Sequence, residues 1–397
     1  MIHEKSAGLF QQFFNSEKAG GLLLMLCTAV SLTLANLSFG EDYVHFWHSD
    51  AALQIFNISL PFTIEEWIND GLMTVFFLMV GLEIERELYA GELSSFKNAV
   101  LPAVAAVGGM AVPALIHFAF NHGTPEAAGN GIPTATDIAF SLGVLSLIGK
   151  RIPLQLKIFL TALAIMDDLG AIIIIGIFYT KSFSFLYLGI ALLIFGVLLI
   201  FNRMKVLTLW AYLPAGILLW YFMYRSGIHP TLSGVLLAFA IPFRKRGDQA
   251  PSYYLQHMLH KPVNFIIIPL FALANTAIRL PGSWISEIFS PNSLGISLGL
   301  LIGKPAGIVG FTLLVISMGI AKLPEGMNLR KLVGMGMLAG IGFTMSVFIS
   351  TLAFSANPAL VQSSKVAVLI ASLIAALLGW LILRTDGKQA MVTEVVP

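Results

Sequence analysis

The sequence predicts an all-α polytopic membrane protein with about twelve transmembrane helices. The chain of 397 residues is 57% hydrophobic and only 11% charged, whereas ordinary soluble domains carry about 25% charged residues. It contains twelve runs of the length that a membrane helix needs, which is about 20 mostly apolar residues. Lysine and arginine fall mainly on one side of these runs. A soluble globule is therefore excluded, and a net charge of +2 offers no basic surface for nucleic acid.

The predicted spans follow one another without an intervening soluble domain, so residues 1–397 are expected to form a single integral membrane domain. The N-terminus lacks the features of a cleaved signal, and the first run is therefore expected to remain as a span. The seventh and eighth runs are short and separated by "YRSGIHP". In order, the spans cover about residues 18–37, 64–88, 98–119, 129–148, 154–180, 183–202, 206–224, 227–243, 262–278, 293–318, 331–354 and 362–383.

The distribution of positive charge predicts the orientation of the chain. With the N-terminus inside, eighteen of the 23 lysines and arginines fall on the inner side and four on the outer side, with Lys304 left within a span. Because cytoplasmic loops carry the excess of positive residues, we expect both termini in the cytoplasm.

The first outside loop, residues 38–63, contains the segment "ALQIFNISLPFT". Apolar residues alternate there on either side of a turn-forming Asn-Ile-Ser, which fits a small periplasmic β-hairpin. An ordinary structured loop is the alternative. A hairpin edge can pair with a second copy of the chain, and a homodimer is expected.

Two adjacent carboxylates, Asp167 and Asp168, lie at the middle of the fifth predicted span. Each costs about 2.5–3.5 kcal/mol at that depth when it is ionised and unpaired. Consecutive residues project about 100° apart on a helix. Carboxylates this close influence each other, so the pair loses its two protons in two separate pH steps. A pair that titrates can exchange protons for a cation. The alternative is a structural pair that only joins helices.

Two further charged residues lie inside spans, beside residues that interrupt helices. Asp137 follows Pro133 in the fourth span, close to Thr136, and Lys304 precedes Pro305 in the tenth. The eleventh span contains three glycines in "GMLAGIGFTMS". The fourth and eleventh spans are therefore expected to be broken.

Broken helices at membrane depth line a cavity or are buried in protein, and their ends carry partial charges. If two such helices cross, Asp137 would offset facing N-termini and Lys304 would offset facing C-termini. This arrangement is typical of transporters built from inverted repeats. The third to fifth and the tenth to twelfth spans would be the repeats.

Several long motifs resemble the NhaA family of bacterial sodium/proton antiporters. They include "IPTATDIAFSLGVLSLIGKRIPLQLKIFLTALAIMDDLGAIIIIGIFYT", "LIGKPAGI", "RSGIHPTLSG", "GIGFTMSVFIS" and "WINDGLMTVFFLMVGLEIERE". The likeness runs from about Glu17 to Arg384, in order and with matching spacing. It implies a twelve-helix exchanger of the bacterial inner membrane, with crossed and partly unwound fourth and eleventh helices.

The resemblance also implies roles for individual residues. Asp167 and Asp168 look like the pair that binds the cation and the protons, with Thr136 as a nearby ligand. Asp137 and Lys304 look like the charges that balance the helix ends, and Lys304 would pair with Asp167 when sodium is absent. The family moves two protons in for each sodium out, also carries lithium, and is activated at alkaline pH. No cofactor is expected.

The pH response of the family is matched here by Glu83, Arg86 and His229. This chain departs from the family pattern at two positions, where Glu85 replaces a basic residue and Gln256 replaces a glutamate. These departures leave the transport chemistry unchanged, but because of them the resemblance does not fix the pH set-point. On its own, His229 is equally well a packing residue.

Three other functions fit parts of the sequence. An intramembrane aspartyl protease could pair Asp137 with Asp168, but no Gly-x-Gly precedes the second aspartate. An ion channel usually has repeated filter segments, which the sequence lacks. A carrier of organic anions has a similar architecture, but the paired acids favour a small cation.

Overall fold

The computed structural model describes residues 17–55, 58–149, 152–180, 183–243, 250–280, 282 and 284–386. Most of them lie in helices, which confirms the predicted all-α class. In chain order, the helices are α1 (Glu17–Ala35), α2 (Gly40–Trp47), α3 (Ile64–Tyr89), α4 (Phe96–Asn121), a 3-10 segment (Pro125–Thr134), α5 (Ile138–Ile148), α6 (Leu154–Phe178), α7 (Phe185–Arg203), α8 (Leu213–Ser226), α9 (Leu232–Ala240), α10 (Pro251–Asn275), α11 (Trp284–Ile288), α12 (Pro291–Ser317), α13 (Leu329–Ala339), α14 (Phe343–Ala353) and α15 (Pro358–Asp386).

Every predicted span coincides with a helix or a pair of helices. Among the described residues, seven helices are long and apolar enough to cross a membrane, and two bent pairs raise this number to nine. The helices of the first, seventh and eighth spans are not among them: the apolar part of α1 is Ala19–Ala35, α8 has 14 residues and α9 has 9. Helix α8 starts later than predicted, at Leu213, and ends at Ser226, where Gly227 adopts a left-handed conformation with φ 84°.

The ninth span begins earlier than predicted, because α10 starts at Pro251 rather than near residue 262. Pro262 does not end the helix. A wider π-helical turn, Val263–Ile267, follows it directly and accommodates a residue that has no N–H to donate.

The predicted breaks in the fourth and eleventh spans are confirmed. The 3-10 segment and α5 meet at an angle of 41°, and α13 and α14 meet at 44°. Ala135 is extended at the first break, with φ −84° and ψ 154°. At the second break Gly340 follows the last residue of α13, and α14 starts after Gly342. Both breaks free backbone groups that need new partners.

The chain divides into two compact units. The first comprises Met1–Ala29, Lys97–Asp167 and Leu280–Pro397, and it contains both bent pairs. Within it, α4 and α12 touch backbone to backbone, because a Cβ added at Gly307 would collide with the carbonyl group of Gly108. Small residues allow this close approach between membrane helices.

The second unit comprises Val30–Phe96 and Asp168–Arg279. Here α3 packs on α9, where a Cβ added at Gly234 would collide with the backbone of Thr74. An apolar cluster that includes Leu82, Leu198 and Tyr212 fills its interior.

The small β-hairpin predicted in the first outside loop is confirmed and belongs to the second unit. Strand β1 (Leu53–Ile55) pairs antiparallel with β2 (Ile58–Leu60), with Leu53 opposite Leu60 and Gln54 opposite Ser59. The predicted turn residue Asn57 lies outside the described residues.

Candidate functional site

The two breaks of the first unit meet each other. The backbone N–H of Asp137, at the first break, donates to the carbonyl oxygen of Ile341, at the second, over 2.7 Å. The segments on either side of each break are buried. The crossing of the two broken spans is therefore joined by the backbone itself.

Hydroxyl groups near each break contact carbonyl groups freed near the other. Ser141 Oγ donates to the carbonyl oxygen of Leu338 over 2.8 Å, and Ser346 Oγ donates to that of Ile132 over 2.6 Å. Thr136 Oγ1 lies 2.9 Å from the carbonyl oxygen of Ala339. Freed carbonyls at membrane depth need such partners, because lipid supplies none.

Asp137 accepts hydrogen bonds from the N-termini of α5 and α14, the two helices that follow the breaks. Its Oδ1 accepts from the backbone N–H of Phe140 over 2.9 Å, as the N-cap of α5. Its Oδ2 accepts from the backbone N–H of Thr344 over 3.0 Å and from Thr344 Oγ1 over 2.6 Å, in the first turn of α14. A single carboxylate therefore faces the positive ends of two helices.

Lys304 carries the positive charge of the crossing. It is 0% exposed and lies on α12, directly after the π-helical turn Gly299–Gly303. Its Nζ donates to the carbonyl oxygen of Thr134, at the C-terminal end of the 3-10 segment, and lies 2.9 Å from Asp167 Oδ2. The ammonium group is thus shared between a helix end and a carboxylate.

Asp167, in the middle of α6, is also 0% exposed. Its Oδ2 contacts Lys304 and accepts from Thr136 Oγ1 over 2.7 Å. Its Oδ1 is buried and has no hydrogen-bond partner among the described residues. Carboxylate and hydroxyl oxygens are the ligands that hard cations prefer, so Asp167 and Thr136 together offer suitable atoms for a sodium ion.

Asp168 is the next residue of α6 and is 1% exposed. On a regular helix its side chain points about 100° away from that of Asp167. The division between the two units falls between these two residues.

The residues predicted for the pH response lie in the second unit, at two separate places. Arg86 Nη2 contacts Glu87 Oε1 at 2.9 Å and Glu83 Oε1 at 3.6 Å, near the end of α3. His229 Nε2 lies 3.3 Å from Asp70 Oδ1, near the start of α3. Sixteen residues of helix, or about 24 Å, separate Asp70 from Arg86, so the structure does not bring these residues together.

The two departures from the family pattern are both buried. Glu85 is 4% exposed and Gln256 is 7% exposed. Glu85 Oε2 has no hydrogen-bond partner among the residues that the structure describes. The side chain at position 85 is therefore a buried carboxyl group rather than a surface charge.

Three residues of the crossing were not predicted from the sequence: Thr344, Ser346 and Ser141. One signal was present, because Thr344 and Ser346 lie two and four residues after Gly342, the last glycine of the second break, in "GIGFTMS". Ser141 lies one turn after Asp137 in α5 and carries no comparable signal.

Comparison with known proteins gives one family. Residues 11–383 match the family described as Na+/H+ antiporter 1. The protein named Na(+)/H(+) antiporter NhaA from Dechloromonas aromatica is 54% identical over 380 residues, which cover 95% of this chain and 96% of that protein. A protein of the same name from Flavobacterium psychrophilum is 53% identical over 388 residues, covering 98% of this chain and 99% of that one. One from Vibrio campbellii is 46% identical over 390 residues, covering 98% of both.

Proposed function

The chain belongs to the Na+/H+ antiporter 1 family, which it matches over residues 11–383, and from this premise we propose that it exports Na+ in exchange for H+. Its relatives are named as antiporters, which accords with a transporter rather than an enzyme. The observation that carries the proposal is the contact of Asp167 with both Lys304 and Thr136 inside the crossing of two broken helices.

Sodium and protons compete for the same carboxylates. An ionised Asp167 next to Lys304 forms a neutral pair, whose members are costly to separate in a buried site. An incoming sodium ion would take the place of the ammonium group at Asp167 and use the hydroxyl of Thr136 as a further ligand. Protonation of the carboxylates would then release the sodium ion.

The charge balance favours an electrogenic exchange. Asp167 and Asp168 can each take up one proton, whereas one sodium ion brings one positive charge. Replacing one sodium ion by two protons therefore moves one net charge in each cycle. Lithium is also a small monovalent cation that prefers oxygen ligands, and we propose that it is transported at the same site.

Alternating access follows from the cost of an empty site. Two ionised carboxylates beside a single ammonium group leave a net negative charge that is expensive to bury, so the empty site rarely changes the side to which it opens. The site that holds a sodium ion and the site that holds protons can both change the side to which they open. This difference couples the outward movement of sodium to the inward movement of protons.

The excess of lysine and arginine on one side of the spans supports a location in the bacterial inner membrane with both termini in the cytoplasm. The β1–β2 hairpin offers strand edges to a second copy of the chain, and a homodimer is part of this proposal. Regulation by pH would involve the separate groups around Arg86 and His229.

Single substitutions of the aspartates test the proposal. In everted membrane vesicles, Asp167→Asn and Asp168→Asn should each abolish proton movement driven by Na+ or Li+, because each removes a carboxylate that must ionise. Asp42→Asn, at an exposed position of α2, is the matched control and should transport like the wild type. Wild-type rates in either variant of the pair would refute the assignment.

The same preparation separates the proposal from the other functions. Antiport predicts a rate that saturates with Na+ and stays coupled to proton movement. A channel would give uncoupled flux without such saturation. Cleavage of a membrane peptide by the purified protein, lost in Asp168→Asn, would instead indicate a protease.

A further inference from the structure

A buried histidine outside the candidate site, His117, is surrounded by side-chain amides. It lies near the end of α4 and is 0% exposed. Its Nδ1 is 2.9 Å from Asn130 Oδ1 in the 3-10 segment. Its Nε2 is 3.1 Å from Asn292 Oδ1 in α12 and 3.5 Å from Asn121 Nδ2, one turn later in α4. All four residues belong to the first unit.

The space for the imidazole ring is built by two glycines. A Cβ added at Gly129 would lie 3.1 Å from His117 Cε1, and one added at Gly295 would lie 3.0 Å from His117 Cδ2. The network continues beyond the ring, because Asn292 Nδ2 donates to Ser364 Oγ of α15 over 2.8 Å. The histidine therefore joins α4, the 3-10 segment, α12 and α15.

The two nitrogens of the ring meet different sets of partners. Nδ1 faces only an acceptor, the oxygen of Asn130, and therefore carries a proton in both charge states of the ring. Nε2 faces an acceptor, Asn292 Oδ1, and a donor, Asn121 Nδ2. A protonated Nε2 can donate to Asn292, whereas an unprotonated Nε2 can only accept, and Asn121 supplies the hydrogen.

We propose that His117 is a proton-binding site that acts as a latch between α4 and α12. With the proton bound, the ring is held to Asn292, and α4, the 3-10 segment and α12 are tied together. Without it, the bond to α12 is lost and the ring turns to Asn121 on its own helix. This proposal rests on the transport function proposed above and adds a regulatory proton to it.

The latch reaches the transport site through the 3-10 segment. Asn130 lies four residues before Thr134, whose carbonyl oxygen accepts from Lys304. Asn130 is only half-buried, so it connects the ring to the surface at this end of the segment. In the orientation proposed above this end is periplasmic, and the latch responds to the proton concentration on that side.

The elements that meet at the ring contain three other ionisable groups. They are His122 at the end of α4, Glu126 on the 3-10 segment and Lys365 on α15, whereas α14 and the facing turns of α12, Pro291–Leu298, contain none. The hydrogen-bond partners of the ring in the described part of the chain are all amides. None of these three groups is therefore a hydrogen-bond partner of the ring in that part of the chain.

Spectroscopy of the intact protein tests proton binding directly. The protein is labelled with 15N-histidine and placed in lipid nanodiscs, and His117→Gln identifies the signal of His117. We expect Nε2 to pass from protonated to unprotonated between about pH 5 and pH 8, while Nδ1 stays protonated. A ring that keeps one state throughout this range would overturn the proposal.

Transport by proteoliposomes tests the latch with two variants of opposite effect. Asn292→Leu removes the partner of the charged ring, so the pH dependence on the periplasmic side should move to more acidic values by about one unit. Asn121→Leu removes the partner of the neutral ring and should move it to more alkaline values. Shifts in the same direction, or none, would show a structural role only.

Matched controls keep the test decisive. His122→Gln, at an exposed position next to the end of the same helix, should leave the pH dependence of transport unchanged. His117→Gln should remove the dependence on periplasmic pH and retain the maximal transport rate. If Asn292→Leu fails to fold, Asn292→Ser replaces it, because the shorter side chain no longer reaches Nε2. Absence of sodium-driven proton movement in the wild type would contradict the proposed function, while the histidine spectra would still decide the latch.

Discussion

The crossing of the broken spans and the final turns of α3 both bury carboxyl groups, but the two places differ in the hydrogen-bond partners that they supply. At the crossing, Asp137 accepts three hydrogen bonds from two helix ends, and Asp167 contacts a lysine and a hydroxyl group. In α3, Glu85 Oε2 is buried without a hydrogen-bond partner among the described residues. Arg86, next to it in sequence, contacts Glu83 and Glu87 instead.

This difference shows what makes a buried charge tolerable in a membrane protein. The broken spans of the first unit supply dipoles and freed backbone groups, and these stabilise charge without any surface water. The uninterrupted end of α3 has neither. Substitutions at the two places should therefore change stability in opposite directions.

The largest effect is expected at the pair of Asp167 and Lys304. Asp167→Ala leaves the ammonium group buried and uncompensated, which should lower the free energy of unfolding by about 3–5 kcal/mol. The double variant with Lys304→Met should recover much of this loss but no transport, because the cation ligand is gone. Thermal unfolding in detergent, arranged as a double-mutant cycle, measures the coupling. Additive losses would mean that the two charges do not stabilise each other.

Removing Asp137 should come next in size. Asp137→Ala leaves the first turns of α5 and α14 without their acceptor, and the loss of two caps is expected to cost about 1–4 kcal/mol. Asp137→Asn keeps one oxygen and should lie between the alanine variant and the wild type in the same measurement. Equal melting temperatures for all three proteins would contradict the role in capping.

At Glu85 the expected change has the opposite sign. Glu85→Leu removes a buried group that lacks a partner, so it should raise the free energy of unfolding by about 1–3 kcal/mol. Glu87→Gln is a control on the same helix, since its carboxylate already contacts Arg86. A destabilised Glu85→Leu protein would show that Glu85 stabilises α3 after all.

A smaller effect is expected where His229 contacts Asp70. Asp70→Asn removes the charge that faces His229 Nε2 at 3.3 Å, so it should lower the free energy of unfolding by about 0.5–1.5 kcal/mol. His229→Gln should produce a similar loss, and the double variant should add little. Thermal unfolding in detergent measures these losses, and independent, additive losses would separate the two residues.

The smallest change is expected at Arg86, whose side chain is 37% exposed. Exposed ion pairs contribute about 0–1 kcal/mol, so Arg86→Gln should leave the melting temperature nearly unchanged. A loss as large as that of Asp137→Ala would mean that this end of α3 depends on its charges as strongly as the crossing does.

The sequence predicted the parts of the fold that depend on local composition. The spans, the two breaks and the hairpin follow from apolar runs, from Pro133 and the glycines of the eleventh span, and from alternating residues in one loop. The starts of α8 and α10 and both ends of α9 were less accurate. Gly227, with its positive φ, separates α8 from α9, and a π-helical turn accommodates Pro262 within α10. Neither feature changes the hydropathy.

The partners at the crossing depend on contacts that no local pattern contains. The acceptor of Thr344 Oγ1 is Asp137, 207 positions away in the chain. Placing Asp137 near helix N-termini needed only the charge of the residue and two expected breaks, whereas naming Thr344 needed the packed structure. The amides around His117 were likewise hidden, because Asn130 and Asn292 come from different elements.

The hydroxyl of Thr136 has one hydrogen but two oxygens within reach, Asp167 Oδ2 at 2.7 Å and the carbonyl oxygen of Ala339 at 2.9 Å. While the carboxylate is ionised, the hydroxyl group donates to it, and the carbonyl oxygen of Ala339 receives no hydrogen bond from Thr136. Once the carboxyl group holds its own proton, it can donate to the threonine, whose hydrogen then turns to the carbonyl. Rotation of the Thr136 hydroxyl group thereby couples the protonation state of Asp167 to the last turn of α13.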